Sequence, residues 1–292
     1  MKVLVTGADG QLGRDVVRLF EEVGHEVLAC GKEQLDITEE TMCRMRVQTF
    51  GPDVVIHCAA YTAVDQAESD IDAAFLVNTT GTRNMVVAAE RVKAKFCYIS
   101  TDYVFDGSSP SAYQEYDGTN PQSVYGKSKR AGELLVQSLS SAFFIVRTSW
   151  VFGVHGRNFV NTMLDLGQRQ PVLQIVQDQK GSPTYTKDLA AFLLELAATE
   201  KYGIFHASNA GACSWFEFAQ AIFEEAEQIL GTPFSVQINP CRTEDFPRPA
   251  PRPRNSVMDH VAIRTNRLQE LRPWREGLRA FLYEFKAGRM GD

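Results

Sequence analysis

The sequence predicts an α/β protein built on a doubly wound parallel sheet with a smaller α/β lobe. Three observations carry that reading. A β-branched run, Lys2 to Thr6, passes straight into a glycine-rich loop and then a helical pattern. Further short apolar runs, typical of strands buried on both faces, alternate with helical stretches. A tyrosine and a lysine four residues apart, Tyr125 and Lys129, open an amphipathic run beyond the fourth such strand.

Composition sets the outer limits. With 292 residues, 44% of them hydrophobic, the chain can fill one large core or a core with a side lobe. A net charge of −6 argues against a nucleic-acid surface. No apolar run approaches the roughly 18 residues of a membrane span, and the start reads as a buried strand rather than a signal peptide. A cytoplasmic protein is expected. The six cysteines form no C-x-x-C pair, so neither disulfides nor a cysteine-bound metal is expected.

The first strand leads into Gly7-Ala8-Asp9-Gly10-Gln11-Leu12-Gly13. Glycines let a backbone turn tightly against a pyrophosphate at a helix N-terminus. The spacing is G-x-x-G-x-x-G, where the usual dinucleotide fingerprint has G-x-G-x-x-G. The second strand, His25 to Cys30, ends in Gly31-Lys32-Glu33. Lys32 is placed to meet a 2′-phosphate and Glu33 a ribose hydroxyl, so NADPH and NADH both stay open. Asp36 and Ile37 are set to flank an adenine, or Asp36 to cap the helix that starts near Thr38.

The third strand spans Asp53 to Ala59, and small residues at its end continue through Ala60, Tyr61 and Thr62. A helix is expected from about Ile71 to Val92. The fourth strand, Phe96 to Ser100, ends at Thr101-Asp102-Tyr103. On a helix, Tyr125 and Lys129 project from one face, one turn apart. A cation beside a phenol lowers its pKa, which suits a Tyr that exchanges a proton with a carbonyl or alcohol oxygen. Thr101 would orient that oxygen and Lys129 would tune Tyr125.

Later elements follow the same grammar. A fifth strand runs Phe143 to Trp150, a helix Asn158 to Gly167, a strand Leu173 to Gln177 and a polar turn Asp178 to Thr184. A helix from Lys187 to Thr199 and a last buried strand, Gly203 to Ser208, return to the sheet. Beyond it come a helix from Ser214 to Leu230, a strand from Phe234 to Ile238 and a helix from Asn266 to Phe285. Between the last two, Phe246 to Pro253 is proline-rich and irregular. It holds Arg248 and Arg252, either solvated or meeting a nucleotide diphosphate. The first body is expected to comprise 1–150 and 185–209, and the lobe 151–184 and 210–292.

Several motifs together resemble the extended short-chain dehydrogenase/reductase superfamily, and within it the dTDP-4-dehydrorhamnose reductase family. They are T-G-A-D-G-Q-L-G (Thr6–Gly13), L-D-I-T (Leu35–Thr38), A-A-Y-T-A-V-D-Q-A-E (Ala59–Glu68), S-T-D-Y-V-F (Ser100–Phe105), V-Y-G-K-S-K (Val124–Lys129), R-T-S-W-V-F (Arg147–Phe152), D-Q-K-G-S-P-T (Asp178–Thr184) and R-P-R-N-S (Arg252–Ser256). The first and fifth mark the superfamily; the third, sixth and seventh are more specific.

The resemblance implies a Rossmann-type fold and reduction of the C4 ketone of dTDP-4-dehydro-L-rhamnose by NADPH or NADH. It implies catalytic Thr101, Tyr125 and Lys129. Around the cofactor it implies Gly7, Gly10, Gln11, Leu12, Gly13, Asp36, Ile37, Ala60, Tyr61 and Thr62, joined by Lys32. Around the sugar nucleotide it implies Val64, Thr101, Asp102, Trp150, Asn158 and Arg252. Some members hold Mg²⁺ at a homodimer interface through glutamates; this chain has Asp15 and Asp188 near those positions and no clear third ligand. Two other readings share the motifs. A sugar-nucleotide dehydratase or epimerase is one, although a dehydratase needs a second acid where this chain has Tyr103. The other is a non-catalytic NADP-binding regulatory subunit of the methionine adenosyltransferase type.

Overall fold

The computed structural model describes residues 1–290. In chain order the first half comprises β1 (Lys2–Thr6), α1 (Gln11–Glu22), β2 (Glu26–Cys30), α2 (Glu40–Phe50), β3 (Val54–His57), α3 (Val64–Ala67), α4 (Ile71–Phe75), a π-helical turn (Leu76–Gly81), α5 (Thr82–Arg91), β4 (Lys95–Thr101) and α6 (Val124–Leu139). The second half adds β5 (Phe143–Thr148), β6 (Val151–Phe152), α7 (Phe159–Arg169), β7 (Val172–Val176), β8 (Lys180–Gly181), β9 (Thr184–Tyr185), α8 (Thr186–Ala197), β10 (Gly203–His206), β11 (Cys213–Ser214), α9 (Trp215–Leu230), β12 (Gln237–Cys241), α10 (Val261–Thr265) and α11 (Trp274–Met290).

Six strands form one parallel sheet in the order β10-β5-β4-β3-β1-β2. Helices cover both faces. On β1, Val3 and Val5 pack with Leu12, Val16, Phe20, Leu189 and Leu193 of α1 and α8. Leu4, between them in sequence, packs on the other face with Val47, Met85, Phe96, Tyr98 and Val136. This two-faced burial is why the strands read as unbroken apolar runs. The winding direction reverses between β1 and β3. Open α/β sheets bind ligands at the carboxyl ends of the strands flanking such a reversal, and the glycine loop and Ala59–Thr62 stand there.

A second apolar cluster holds Phe152, Met163, Leu173, Tyr185, Phe218, Ile222, Phe281 and Leu282. Its strands are short parallel pairs, β7 with β12 and β6 with β9, and the antiparallel pair β8 with β11. Ile263, Leu268 and Leu271 pack with the large sheet's cluster instead, so the chain returns to the sheet before its final helix.

Some elements differ from the sequence reading. The expected helix over 71–92 is interrupted by the π turn. The expected helix over 266–285 begins only at Trp274, because Arg267 adopts φ +56° and Pro273 cannot sit inside a helix. The strand expected at 234–238 lies at Gln237–Cys241, in register with β7. The polar turn over 178–184 contains β8 and the start of β9. All six cysteines are free thiols. No helix among the described residues is long and apolar enough to cross a membrane.

Candidate active site

The glycine loop is shaped by contact. Gly7 has φ +63°, and a Cβ there would lie 2.7 Å from Ala59 N. A Cβ on Gly13 would lie 2.1 Å from the Gly7 carbonyl oxygen. The loop therefore packs against the segment after β3 and on itself, with no room for a side chain at Gly7 or Gly13. A cleft of about 1340 Å³ opens above it. Every residue expected at the cofactor lines this cleft: Gly7, Gly10 to Gly13, Lys32, Asp36, Ile37, Ala60 to Thr62, Tyr125 and Lys129. A loop that a Cβ would fill, at the N-terminus of α1, fits a dinucleotide pyrophosphate.

Val64, Thr101, Asp102 and Trp150 line the same cleft. Asn158 and Arg252 do not, and both are engaged elsewhere. The Asn158 side chain caps α7 by accepting from Asn161 N at 2.9 Å, and donates to Gln11 Oε1 and the Gly153 carbonyl. Arg252 pairs with Asp65 at 2.9 Å and lies over the Tyr103 ring. Each touches a residue of the cleft, Asn158 through Gln11 and Arg252 through Tyr103.

The expected proton-transfer groups come together. Ser123 caps α6, its hydroxyl accepting from Gly126 N at 3.1 Å, and Tyr125 sits in the first turn. The Tyr125 phenol and the Thr101 side chain meet in this cleft, and Thr101 Oγ1 donates to Asp102 Oδ1 at 3.1 Å. Lys129 lies in the next turn, but its ammonium donates to the Ile99 carbonyl at 2.7 Å and sits 4.0 Å above the centre of the Tyr98 ring. The expected lowering of the Tyr125 pKa by Lys129 is not what the structure gives. Burial pushes the phenol up to about 12, the Thr101 hydrogen bond opposes the rise, and Asp102 adds to it. Burial also brings Lys129 down to about 7, with Glu133 opposing. Asp102 is raised to about 6, again by burial.

Trp150 enters the cleft on a strained backbone, φ +47°, a conformation rare for a bulky side chain and frequent at functional sites. Its indole stacks on Trp215 with ring centroids 3.5 Å apart and planes 7° apart. Gly181 lies so close that a Cβ there would come within 2.4 Å of Trp150 Cε2. One indole face is thus covered by protein.

Sequence reasoning missed the supports beneath this site. The Asn78 side chain, on the π turn, accepts from Tyr61 N at 2.8 Å and donates to the Tyr61 carbonyl and Ser128 Oγ. It ties the loop after β3 to α6. Below, Glu133 of α6 is held by Ser100, Arg130 and Arg147. The π turn carries no sequence signal; an Arg in an otherwise apolar strand run is the one hint of Arg147.

Asp15 and Asp188 do not fit a divalent cation. Asp188 is held by Arg272 through hydrogen bonds of 2.9 and 2.7 Å and by Asn209. Asp15 is buried with Arg18 at 3.6 Å, and the neighbouring Glu284 pairs with Lys187 and Arg18. Cations of the chain hold Asp188 and Glu284, whereas both Asp15 oxygens are buried without a hydrogen-bond partner. Among the described residues, no three His, Cys, Asp or Glu side chains form a metal-sized group.

Comparison with known proteins agrees with this geometry. The chain is 43% identical over 283 residues to the spore coat polysaccharide biosynthesis protein SpsK of Bacillus subtilis, covering 97% of each. It is 43% identical to the dTDP-4-dehydrorhamnose reductase of Aggregatibacter actinomycetemcomitans, over 90% of this chain and 92% of that one. The crystal structure of dTDP-4-dehydrorhamnose reductase from Bacillus anthracis in complex with NADP superposes with a TM-score of 0.93 at 43% identity, over 97% and 99% of the two chains. The model of the RmlD substrate binding domain matches residues 1–287, and the chain belongs to that family.

Proposed function

We infer that the protein is an NAD(P)H-dependent oxidoreductase that reduces the C4 ketone of dTDP-4-dehydro-L-rhamnose to give dTDP-L-rhamnose. The observation that carries this reading is the meeting of Tyr125 and Thr101 in the cleft whose floor is the glycine loop. The relatives named above support the substrate class. A reduced nicotinamide nucleotide, held by the glycine loop and Ala60–Thr62, supplies the hydride.

The chain's own residues manage the oxygen. Tyr125 presents its hydroxyl where the ketone oxygen would sit, and a donor aimed at developing charge stabilises it, while Thr101 stands beside it with its own proton given to Asp102. A phenol at about 12 keeps its proton until charge grows on that oxygen, then Tyr125 Oη delivers it. Lys129, brought down to about 7, lends the same wall a partial positive charge at neutral pH. Asp102 accepts from Thr101 and so sets the direction of its hydroxyl. Trp150, Val64 and Asp102 are assigned to the sugar side. The lobe built on the second apolar cluster is assigned to the nucleotide part of the substrate. The same reading has the enzyme work in the cytoplasm.

A dehydratase is less favoured because Tyr103 stands where its second acid would be, packed edge-on against Tyr125 with centroids 5.5 Å apart. The test is NADPH and NADH oxidation across a panel of 4-keto sugar nucleotides. Stoichiometric oxidation with the dTDP-4-keto-6-deoxyhexose supports the reading. Turnover without net oxidation would point to an epimerase or dehydratase, and nucleotide binding with no turnover to a regulatory subunit.

A further inference from the structure

Lys129 is only 2% exposed, and its ammonium has three N–H donors to place. One goes to the Ile99 carbonyl at 2.7 Å. The carboxylate one turn along α6, Glu133, is spent elsewhere: its oxygens accept from Ser100, Arg130 and Arg147. A buried cation without a counter-ion is costly. What lies beside this one is a ring. Lys129 Nζ sits 4.0 Å from the centroid of Tyr98, and an aromatic face carries the negative side of a quadrupole that attracts such a charge.

The ring is held in that place from several sides. Tyr98 lies buried on β4, on the sheet face that α6 covers. Its hydroxyl donates to the Lys129 main-chain carbonyl at 3.2 Å. Gly132 makes room for that hydroxyl, since a Cβ there would lie 2.4 Å from Tyr98 Oη. His57 of β3 stacks with the ring, centroids 5.9 Å apart. One tyrosine thus grips both ends of one lysine, the main chain through its hydroxyl and the ammonium through its face. Lys129 and Ile99 line the cleft and Tyr98 does not, so Tyr98 acts through Lys129.

We propose that Tyr98 is a positioning residue of the reduction, its ring face seating the Lys129 ammonium and keeping it charged within a buried wall. The inference rests on the function proposed above, in which Lys129 lends positive charge beside the ketone oxygen. A ring face offsets the cost of burial without taking up an N–H, which leaves the remaining donors for a ligand in the cleft. Around the ammonium, Glu133 of α6 and Cys58 beyond β3 oppose the downward pull of burial. His57 at about 3 and Tyr125 at about 12 are neutral near pH 7. Asp102, at about 6, titrates separately, so the test must read Lys129 by itself.

The pH dependence of Lys129 acetylation by acetic anhydride, followed in the full chain by peptide mass spectrometry, does that. The alkaline limb of kcat/KM for ketone reduction is measured beside it. Tyr98→Phe keeps the ring and drops the hydroxyl. Replacing Tyr98 by pentafluorophenylalanine keeps the ring's shape and reverses its quadrupole. Tyr98→Phe is expected to leave the Lys129 ionisation where the parent has it, whatever becomes of the rate. The fluorinated ring is expected to move ionisation and limb down by about one pH unit, the scale of a cation–π attraction to a desolvated ammonium. Tyr98→Met, with the same direction expected, replaces it should the fluorinated chain fail to fold. Equal ionisation in the ring-altered and Tyr98→Phe chains overturns the proposal. So does a Tyr98→Phe chain that is itself displaced, which would give the effect to the hydroxyl. A parent that reduces no 4-keto sugar nucleotide overturns the reduction reading instead, while the labelling still decides whether the ring seats the ammonium.

Discussion

Arg147 and Glu133 are joined by two hydrogen bonds of 2.9 Å each, Nε to Oε1 and Nη2 to Oε2. Both side chains are essentially without solvent contact. Burial alone would raise the Glu133 carboxyl, yet the hydrogen bonds and charge of Arg147 hold it below the usual carboxylate range. Glu133 lies one turn beyond Lys129 on α6, and Arg147 lies on β5. The pair therefore fixes the helix of Tyr125 and Lys129 against the sheet.

Removing Arg147 leaves the buried Glu133 carboxylate with Ser100 and Arg130 only, and breaking a buried pair costs up to about 3–5 kcal/mol. Arg147→Met is expected to lower the free energy of urea unfolding by that amount. Pairing it with Glu133→Leu should recover much of the loss, since neither buried charge remains and Arg130 is part-exposed to solvent. A single variant as stable as the parent would sink the account.

Tyr125→Phe removes the proton donor and little volume. Turnover should fall by about 10²–10⁴-fold, the usual worth of a positioned general acid, while nucleotide affinity is retained. Steady-state kinetics beside a nucleotide titration decide it. Near-normal turnover would reject the assignment of the proton to this phenol.

Stability should fall in acid. Burial, then repulsion by Lys129, holds His57 at about 3. Burial, then Arg147, holds His206 at about 3. An unfolded histidine takes its proton near 6.5. Between those values the unfolded chain binds more protons, so stability drops as pH falls through the window. Asp102, raised to about 6, runs the other way: its contribution is present below 3.8 and lost as pH rises through about 6. Two histidines outweigh one carboxyl, and carboxylates held low, such as Glu133, add to the acid loss. The midpoint of urea unfolding should decrease from neutral pH toward pH 4 or so; a flat profile would contradict this.

Gly181→Ala should disturb the cleft wall from outside it. The added methyl meets Trp150, which cannot retreat because it is stacked on Trp215. Overpacking of this kind costs about 1–3 kcal/mol. The expected result is a raised KM for the sugar nucleotide and a shifted tryptophan emission. Unaltered emission and KM would show that the indole has slack.

Much of this architecture is written locally. Strands β1, β3, β4 and β5 are apolar runs because both faces are covered, and their ends carry the glycine loop, Ala60–Thr62 and Thr101. Spacing on one helix was enough to bring Tyr125 and Lys129 into one cleft. What the sequence could not show is direction. Lys129 shares a face with Tyr125 yet spends its ammonium on the Ile99 carbonyl. Asn158 also caps a helix, a role its position before one already favours, and Arg252 also pairs with Asp65. Arg147 and Glu133 are legible only once α6 lies on β5, because their partnership is a matter of packing, not of period.

The place of β10 has a consequence during synthesis. It covers the outer edge of β5, but emerges about 55 residues after that strand, some 3–11 s later at ordinary translation rates. Through that interval Phe144, Ile145 and Val146 present an open backbone edge on the ribosome, of the kind that pairs with foreign strands. Slowed elongation between residues 149 and 202 should therefore lower soluble yield, and a chaperone that shields nascent strands should restore it.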